Sequence, residues 1–172
     1  MELKPRITIH VATRDRHTEA ALLVQSLRTQ TYQNWDLIIL DDASGSLLSN
    51  CNFFMSLLNR VKQENHKVKL IRNDISFGVC YARNMCIEHD TFKNPLVCRL
   101  DDDCIPEKNY LEKLKAVIDR GYDLASGVIP LLSQPPLKRK TKFVGRIINC
   151  HTLDNEGNLI FNNDDCGYQY VD

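Results

Sequence analysis

The sequence predicts an α/β fold, a mostly parallel sheet with helices on both faces. Two observations carry this. Short β-branched, apolar runs alternate with i, i+3, i+4, i+7 apolar stripes as far as about residue 129. Alternation of that kind builds parallel sheets through right-handed crossovers. In addition, two of the predicted strands stop abruptly at carboxylates, Asp41-Asp42 and Asp101-Asp102-Asp103.

Residues 6–13 (RITIHVAT) are long enough for a first strand. Ala20, Leu23, Val24 and Leu27 form the stripe of a helix over about 17–30. Leu37-Ile38-Ile39-Leu40 is the second strand, and Phe54, Leu57, Leu58 and Val61 mark the second helix. The alternating KVKLIR, 67–72, is a third strand, and residues 79–90 read as a helix after the loop Asn73–Gly78. Leu96 to Leu100 form the fourth strand. Pro106 suits the first turn of the next helix, where its missing N–H is no loss. Leu111, Leu114, Val117 and Ile118 give that helix a buried face, and Gly121 a stop. Residues 122–129 read as a fifth strand. Beyond Pro130 come a Pro-rich loop, a basic cluster (Lys138, Arg139, Lys140, Lys142) and a predicted hairpin. Its arms, 143–150 and 158–161, flank the turn signal Asn155-Glu156-Gly157-Asn158. The expected organisation is an α/β domain over 1–130 and an incomplete second region over 131–172, as in a fragment.

The chain has 172 residues, 43% hydrophobic and 26% charged, with 22 basic against 22 acidic side chains. That composition is globular, and the charge balance gives no support to a nucleic-acid or membrane-surface partner. No apolar stretch reaches the roughly 18 residues a membrane span requires, and no signal peptide opens the chain. Seven cysteines without a CxxC pair read as buried small hydrophobes in a reducing, cytoplasmic setting. Zinc held by Cys150, His151 and Cys166 lacks paired-ligand spacing.

Open parallel sheets bind ligands at the carboxyl ends of their strands. The glycine loops of dinucleotide and P-loop folds are absent, since neither GxGxxG nor GxxxxGK[ST] occurs. No GxSxG nucleophile elbow occurs either, and His10 reads as a structural residue of the first strand. What the strand ends carry is acid. Adjacent carboxylates repel unless a cation or hydrogen bonds intervene, and hard oxygen donors suit Mg2+ or Mn2+.

Four blocks in order, ITIHVATRDR (7–16), SLRTQTYQNWDLIILDDAS (26–44), RNDISFGVCYARN (72–84) and CRLDDDCIPEKNYLEKL (98–114), resemble GT-A glycosyltransferases of the family-2 type. The resemblance covers about residues 6–130, the donor-binding half of such a fold. It implies inverting transfer of a sugar, of hexosyltransferase type, from a UDP- or GDP-type nucleotide-diphosphate sugar with Mn2+ or Mg2+. Thr13 matches the position that touches the nucleotide base, and Arg14 beside it is counted with the donor-binding residues. Asp42 matches the carboxylate that accepts a hydrogen bond from base or ribose, and Arg83 a basic residue near the nucleotide. Asp103, with Asp101, matches the metal ligands, while Asp101 and Asp102 fall on the donor side. Three consecutive aspartates leave that register open.

The acid that serves such enzymes as general base has no clear counterpart. Asp164, Asp165 and Asp172 lack a surrounding motif, so the catalytic residue is unassigned. The acceptor is not indicated. Two alternatives stand beside the transferase: a non-catalytic nucleotide-sugar-binding module, and a nucleotidyltransferase. The latter expects a glycine-rich, basic loop where Arg14-Asp15-Arg16-His17-Thr18 stands.

Overall fold

The computed structural model describes residues 5–127 in full, and beyond them four short strands at 142–143, 151–153, 159–161 and 170–171. Contacts divide the chain into two units, Met1–Gly127 and Val128–Asp172.

In the first unit the strands are β1 (Ile7–Thr13), β2 (Trp35–Asp42), β3 (Val68–Asn73) and β4 (Leu96–Asp101). The helices are α1 (His17–Arg28), α2 (Asn52–Gln63), α3 (Val79–Glu88) and α4 (Tyr110–Ile118). All four strands are parallel, in the order β3-β2-β1-β4. The chain thus steps outward from β1 to β3 and then returns to the other side of β1. Right-handed crossovers put helices on opposite faces when the direction of travel reverses. Accordingly, α1 and α2 share one face with the main core, which includes Ile9, Leu23, Leu27, Leu37, Phe54 and Leu58. Helix α3 covers the other face, where Ala82 and Cys86 meet Leu40.

All eight residues of β2 are buried, as expected for a strand covered on both faces. Strand β4 departs from that pattern. Leu96, Cys98 and Leu100 join the main core, but Val97 is 57% exposed on the opposite side. Helix α3 lies over β1 and β2 and leaves that side of β4 uncovered.

Most predicted elements lie within two residues of their expected bounds, and four points are corrected. Helix α1 ends at Arg28, because Thr29 and Gln30 tighten onto the carbonyls of Ser26 and Leu27. Pro106 lies in a loop rather than the first turn of α4. That helix starts at Tyr110, where the buried Gln30 side chain accepts from the Leu111 N–H at 3.1 Å and donates to the Glu107 carbonyl at 2.8 Å. Of the predicted α4 face, Leu111 is fully buried but Leu114, Val117 and Ile118 are only half-buried. The expected fifth strand is not found at 122–127. Gly121 turns the chain at φ +91°, and Tyr122 and Leu124 are exposed with no strand partner; residues 128–129 lie outside the described residues.

At the amino ends of the strands a buried polar network closes the sheet. Asp36 accepts from the Lys67 N–H and from Asn94 Nδ2, which also donates to Thr8. His10 pairs with Asp90 at 3.1 Å, consistent with a structural role. Trp35 stacks on His66, with centroids 3.6 Å apart. Cys86 and Cys98 have thiol pKa values raised to about 11 by burial, as expected of cysteines acting as small hydrophobes, whereas Cys80, on the outer side of α3, is exposed and departs from that expectation.

In the second unit β6 (His151–Leu153) and β7 (Leu159–Phe161) pair antiparallel, as do β5 (Lys142–Phe143) and β8 (Tyr170–Val171). Strand β7 falls on the expected second arm of the hairpin and pairs with 151–153, while residues 144–150 of the expected first arm lie outside the described residues. The hairpin's turn, the side chains of the basic cluster, Cys150, Cys166 and the acids Asp164, Asp165 and Asp172 lie outside the described residues.

Candidate functional site

Strand order fixes where the site forms. The reversal occurs between β1 and β4, and parallel sheets open a crevice outside their carboxyl ends at such a point. Strands β2 and β4 flank β1, so their ends stand two strand spacings apart, about 10 Å.

Alternation then gives neighbouring acids different tasks. Asp41 follows Leu37 and Ile39 onto the α1/α2 side and is consumed by structure. It accepts from the N–H groups of Ser44 and Leu48 and from Arg72 Nη1, at 3.0, 3.1 and 2.8 Å. Burial pushes its carboxyl pKa up, but the Ser44 and Leu48 bonds and the Arg72 charge outweigh that and hold it below the ordinary value. Asp42 follows Leu40 onto the α3 side. Asn73 Nδ2 donates to its Oδ1 at 2.8 Å and Ser76 Oγ to its Oδ2 at 2.6 Å. The carboxylate is 5% exposed and held at both oxygens, with further lone pairs able to accept from a ligand.

The three consecutive aspartates divide in the same way. Asp101 pairs in register with Ala12 on the α3 side, where Arg83 Nη2 donates to it at 2.8 Å. A groove of about 100 Å³ lies beside that pair, its lining including Val79, Arg83, Ile87, Val97 and Arg99. Asp102 turns to the other side, is 6% exposed, and accepts from Thr13 Oγ1 at 2.7 Å. Arg16 Nη1 donates both to Asp102 Oδ1, at 3.1 Å, and to Asp103 Oδ2, at 2.9 Å. The negative charge of Asp102, and then of Asp103, raises the guanidinium pKa above its ordinary value.

Of the sequence-predicted residues, Thr13 and Asp102 are therefore in contact, as are Arg83 and Asp101. Asp103 joins Asp102 through Arg16. Asp42 stands across β1 with its own partners, and Arg14 is exposed beside Asp15 at 3.8 Å. Four contributors escaped the sequence reading: Arg16, Arg72, Asn73 and Ser76. Arg72 and Asn73 had a signal, since they end β3 directly beside Asp41 and Asp42. Arg16 and Ser76 lie in loops, and nothing local announced them.

The loops after β1 and β2 are interlocked. Asp15 and Ala43 hold left-handed backbone (φ 55° and 59°), uncommon for residues with a Cβ. Asp15 N–H donates to Ser44 Oγ, and Gly45 N–H to Asp15 Oδ1, at 2.9 and 2.7 Å. Non-glycine strain of this kind collects at ligand-binding edges.

Two carboxylate oxygens, on Asp102 and Asp103, converge on one positively charged nitrogen, which marks a cation position. Among the described residues no three His, Cys, Asp or Glu side chains form a complete metal cage. Mg2+ and Mn2+ need none, because they take one or two carboxylates and complete their shell with water and substrate phosphate. The donor set fits such an ion.

The four-stranded parallel sheet with its flanking helices is an α/β domain of the GT-A class. The chain belongs to glycosyl transferase family 2, whose sequence profile matches residues 8–163. It is 33% identical over 87 residues to the Escherichia coli (strain K12) protein named "Putative colanic acid biosynthesis glycosyl transferase WcaA", covering 51% of this chain and 29% of that one. An uncharacterized glycosyltransferase of Haemophilus influenzae (strain ATCC 51907 / DSM 11121 / KW20 / Rd) is 22% identical over 120 residues, 70% of this chain and 35% of that one. The match thus spans about a third of these relatives' length. Among solved structures, residues 1–349 of S. aureus TarS in complex with UDP align with a TM-score of 0.54 at 18% identity, over 67% of this chain and 32% of that one. That likeness concerns the fold. Among the described residues no helix is long and apolar enough to cross a membrane.

Proposed function

We propose that this domain binds a UDP- or GDP-type sugar donor across the carboxyl edge of its sheet and supplies the donor half of an inverting, metal-assisted sugar transfer of the hexosyl type. The observation that carries the reading is the pairing of two differently prepared acidic positions on one edge. Asp42 is buried and oriented by two neutral donors, and Asp102 with Asp103 is arranged around a cation.

Each position suits one part of such a ligand. Uracil and guanine edges present N–H groups, which an ionised, immobilised Asp42 accepts well. Thr13 fixes Asp102 in the loop after β4, so that Asp103, with Asp102, would hold Mn2+ or Mg2+. When bound, the ion stabilises the charge that develops on the departing diphosphate. Arg83, tied to Asp101, keeps a positive group at the α3 side of the same edge. The relatives' names and the UDP complex of TarS support a nucleotide-sugar donor. We place the protein in a reducing, cytosolic setting on the strength of its free thiols, Cys51, Cys80, Cys86, Cys98 and Cys104, of which Cys86 is buried and Cys80 exposed.

A second reading is a donor-binding module without transferase activity, favoured by one observation. The acids of the described edge are engaged in binding roles, and none is left as an evident general base. Incubation with radiolabelled UDP- and GDP-sugars and Mn2+ separates the two. Release of labelled sugar to water or to an added acceptor supports the transferase. Saturable donor binding without turnover supports the module, and no binding of either nucleotide class contradicts both.

A further inference from the structure

The cation position is already filled by the protein itself. Arg16 stands at the start of α1, and its side chain makes no capping hydrogen bond there. Its guanidinium reaches 86 and 87 residues along the chain to Asp102 and Asp103. Among the described residues it is the one basic side chain ion-paired with either acid. Arg14, two residues earlier, faces Asp15 instead. A single nitrogen, Nη1, makes both contacts, so the two oxygens are aimed at a point rather than at the broad fork of a bidentate pair. A divalent ion coordinated by the same oxygens would sit about 2.0–2.2 Å from each. A guanidinium nitrogen 2.9 and 3.1 Å away lies in that space. The two cations are mutually exclusive.

We propose that Arg16 is a built-in counter-cation, which keeps Asp102 and Asp103 neutralised and preorganised and which the divalent ion must displace. The inference rests on the metal reading given above. The guanidinium side chain is half exposed, at 51%, so it swings into solvent without breaking a core contact. The Arg16–Asp103 pair is exposed on both sides and individually weak, whereas Asp102 is buried, so the exchange requires the incoming ion to take over the neutralisation of that carboxylate. Displacement leaves a guanidinium free at the same edge, beside the charge of the incoming diphosphate.

The test is Mn2+ alone, without nucleotide, titrated into the full 172-residue chain and followed by the electron paramagnetic resonance signal of free Mn2+. Arg16→Gln is expected to bind Mn2+ roughly three- to tenfold more tightly than the parent, since the competitor is gone. Arg16→Lys keeps the charge and is expected to fall between them. Asp103→Asn is expected to bind more weakly than the parent. Equal or weaker Mn2+ binding by Arg16→Gln, with Asp103→Asn still impaired, overturns the counter-cation and leaves the metal site standing. Absence of Mn2+ binding in parent and variants alike overturns the metal reading and this inference together. A second readout is the Arg16 Nε–H resonance, assigned by its loss in Arg16→Gln. It is expected to shift on addition of diamagnetic Mg2+, and an unmoved signal at saturating Mg2+ counts against displacement.

Discussion

Thr13 and Asp102, 89 residues apart in the chain, are joined by a 2.7 Å hydrogen bond between the ends of adjacent parallel strands. Both are buried, so the hydroxyl satisfies an acceptor that water does not readily reach. The bond ties the loop after β4 to the centre of the sheet and sets where Asp103 stands. Thr13→Val keeps the shape and removes the donor. It is expected to destabilise the domain by about 1–3 kcal/mol, with Thr13→Ser close to the parent, as measured by urea denaturation.

Asn73 and Ser76 orient Asp42 without being acids themselves. Asn73→Ala and Ser76→Ala are each expected to weaken nucleoside diphosphate binding by about 1 kcal/mol, several-fold in affinity. Because they act on the carboxylate proposed to face the nucleoside, the loss is expected to be the same with and without Mn2+, measured by calorimetry.

Core packing separates two leucines that look equivalent in the sequence. Leu111 is fully buried in the main core, whereas Leu114 is half-buried. Leu111→Ala is expected to cost about 2–5 kcal/mol and Leu114→Ala less than half as much, read from the same denaturation curves.

Acid is expected to act in two windows. Burial lowers the His66 pKa, even though its Nδ1–H donates to the Trp35 carbonyl at 2.7 Å. The unfolded chain therefore takes up this proton first, and stability declines as pH falls below about 6.5. His66→Gln is expected to flatten that part of the curve. Asp41, Asp90 and Glu64 titrate below their ordinary values, Glu64 at about 2. Depressed carboxylates contribute stability above about pH 4 that is lost as they protonate below it. Urea midpoints from about pH 8 to pH 3 should show the shallow slope first and the steeper one below pH 4.

The sheet was legible because its signals are local. Leu37 to Leu40 and Leu96 to Leu100 are short apolar runs ended by acids, and the stripes of α1 and α2 repeat at helical spacing. The site was legible only in part. Asp42 and the three aspartates stand at strand ends, where the fold class says to look. Which of them turns to which face depends on register, and Asp41 and Asp42 differ only in that. Arg16 and Ser76 were invisible for another reason. Their partners are distant in sequence, and a loop residue's reach is set by tertiary structure. The start of α4 was misplaced at Pro106 because the partner of the Leu111 N–H, the Gln30 side chain, comes from the loop that follows a different helix.

The most direct test is calorimetric titration of UDP and GDP, each with and without Mn2+, into the parent, Asp42→Ala and Asp103→Asn. If one ligand spans both acidic ends, Asp42→Ala lowers affinity in both conditions, while Asp103→Asn removes only the gain that Mn2+ brings. A nucleotide that binds the parent and both variants alike, with an unchanged response to Mn2+, would contradict a shared site at the ends of β2 and β4.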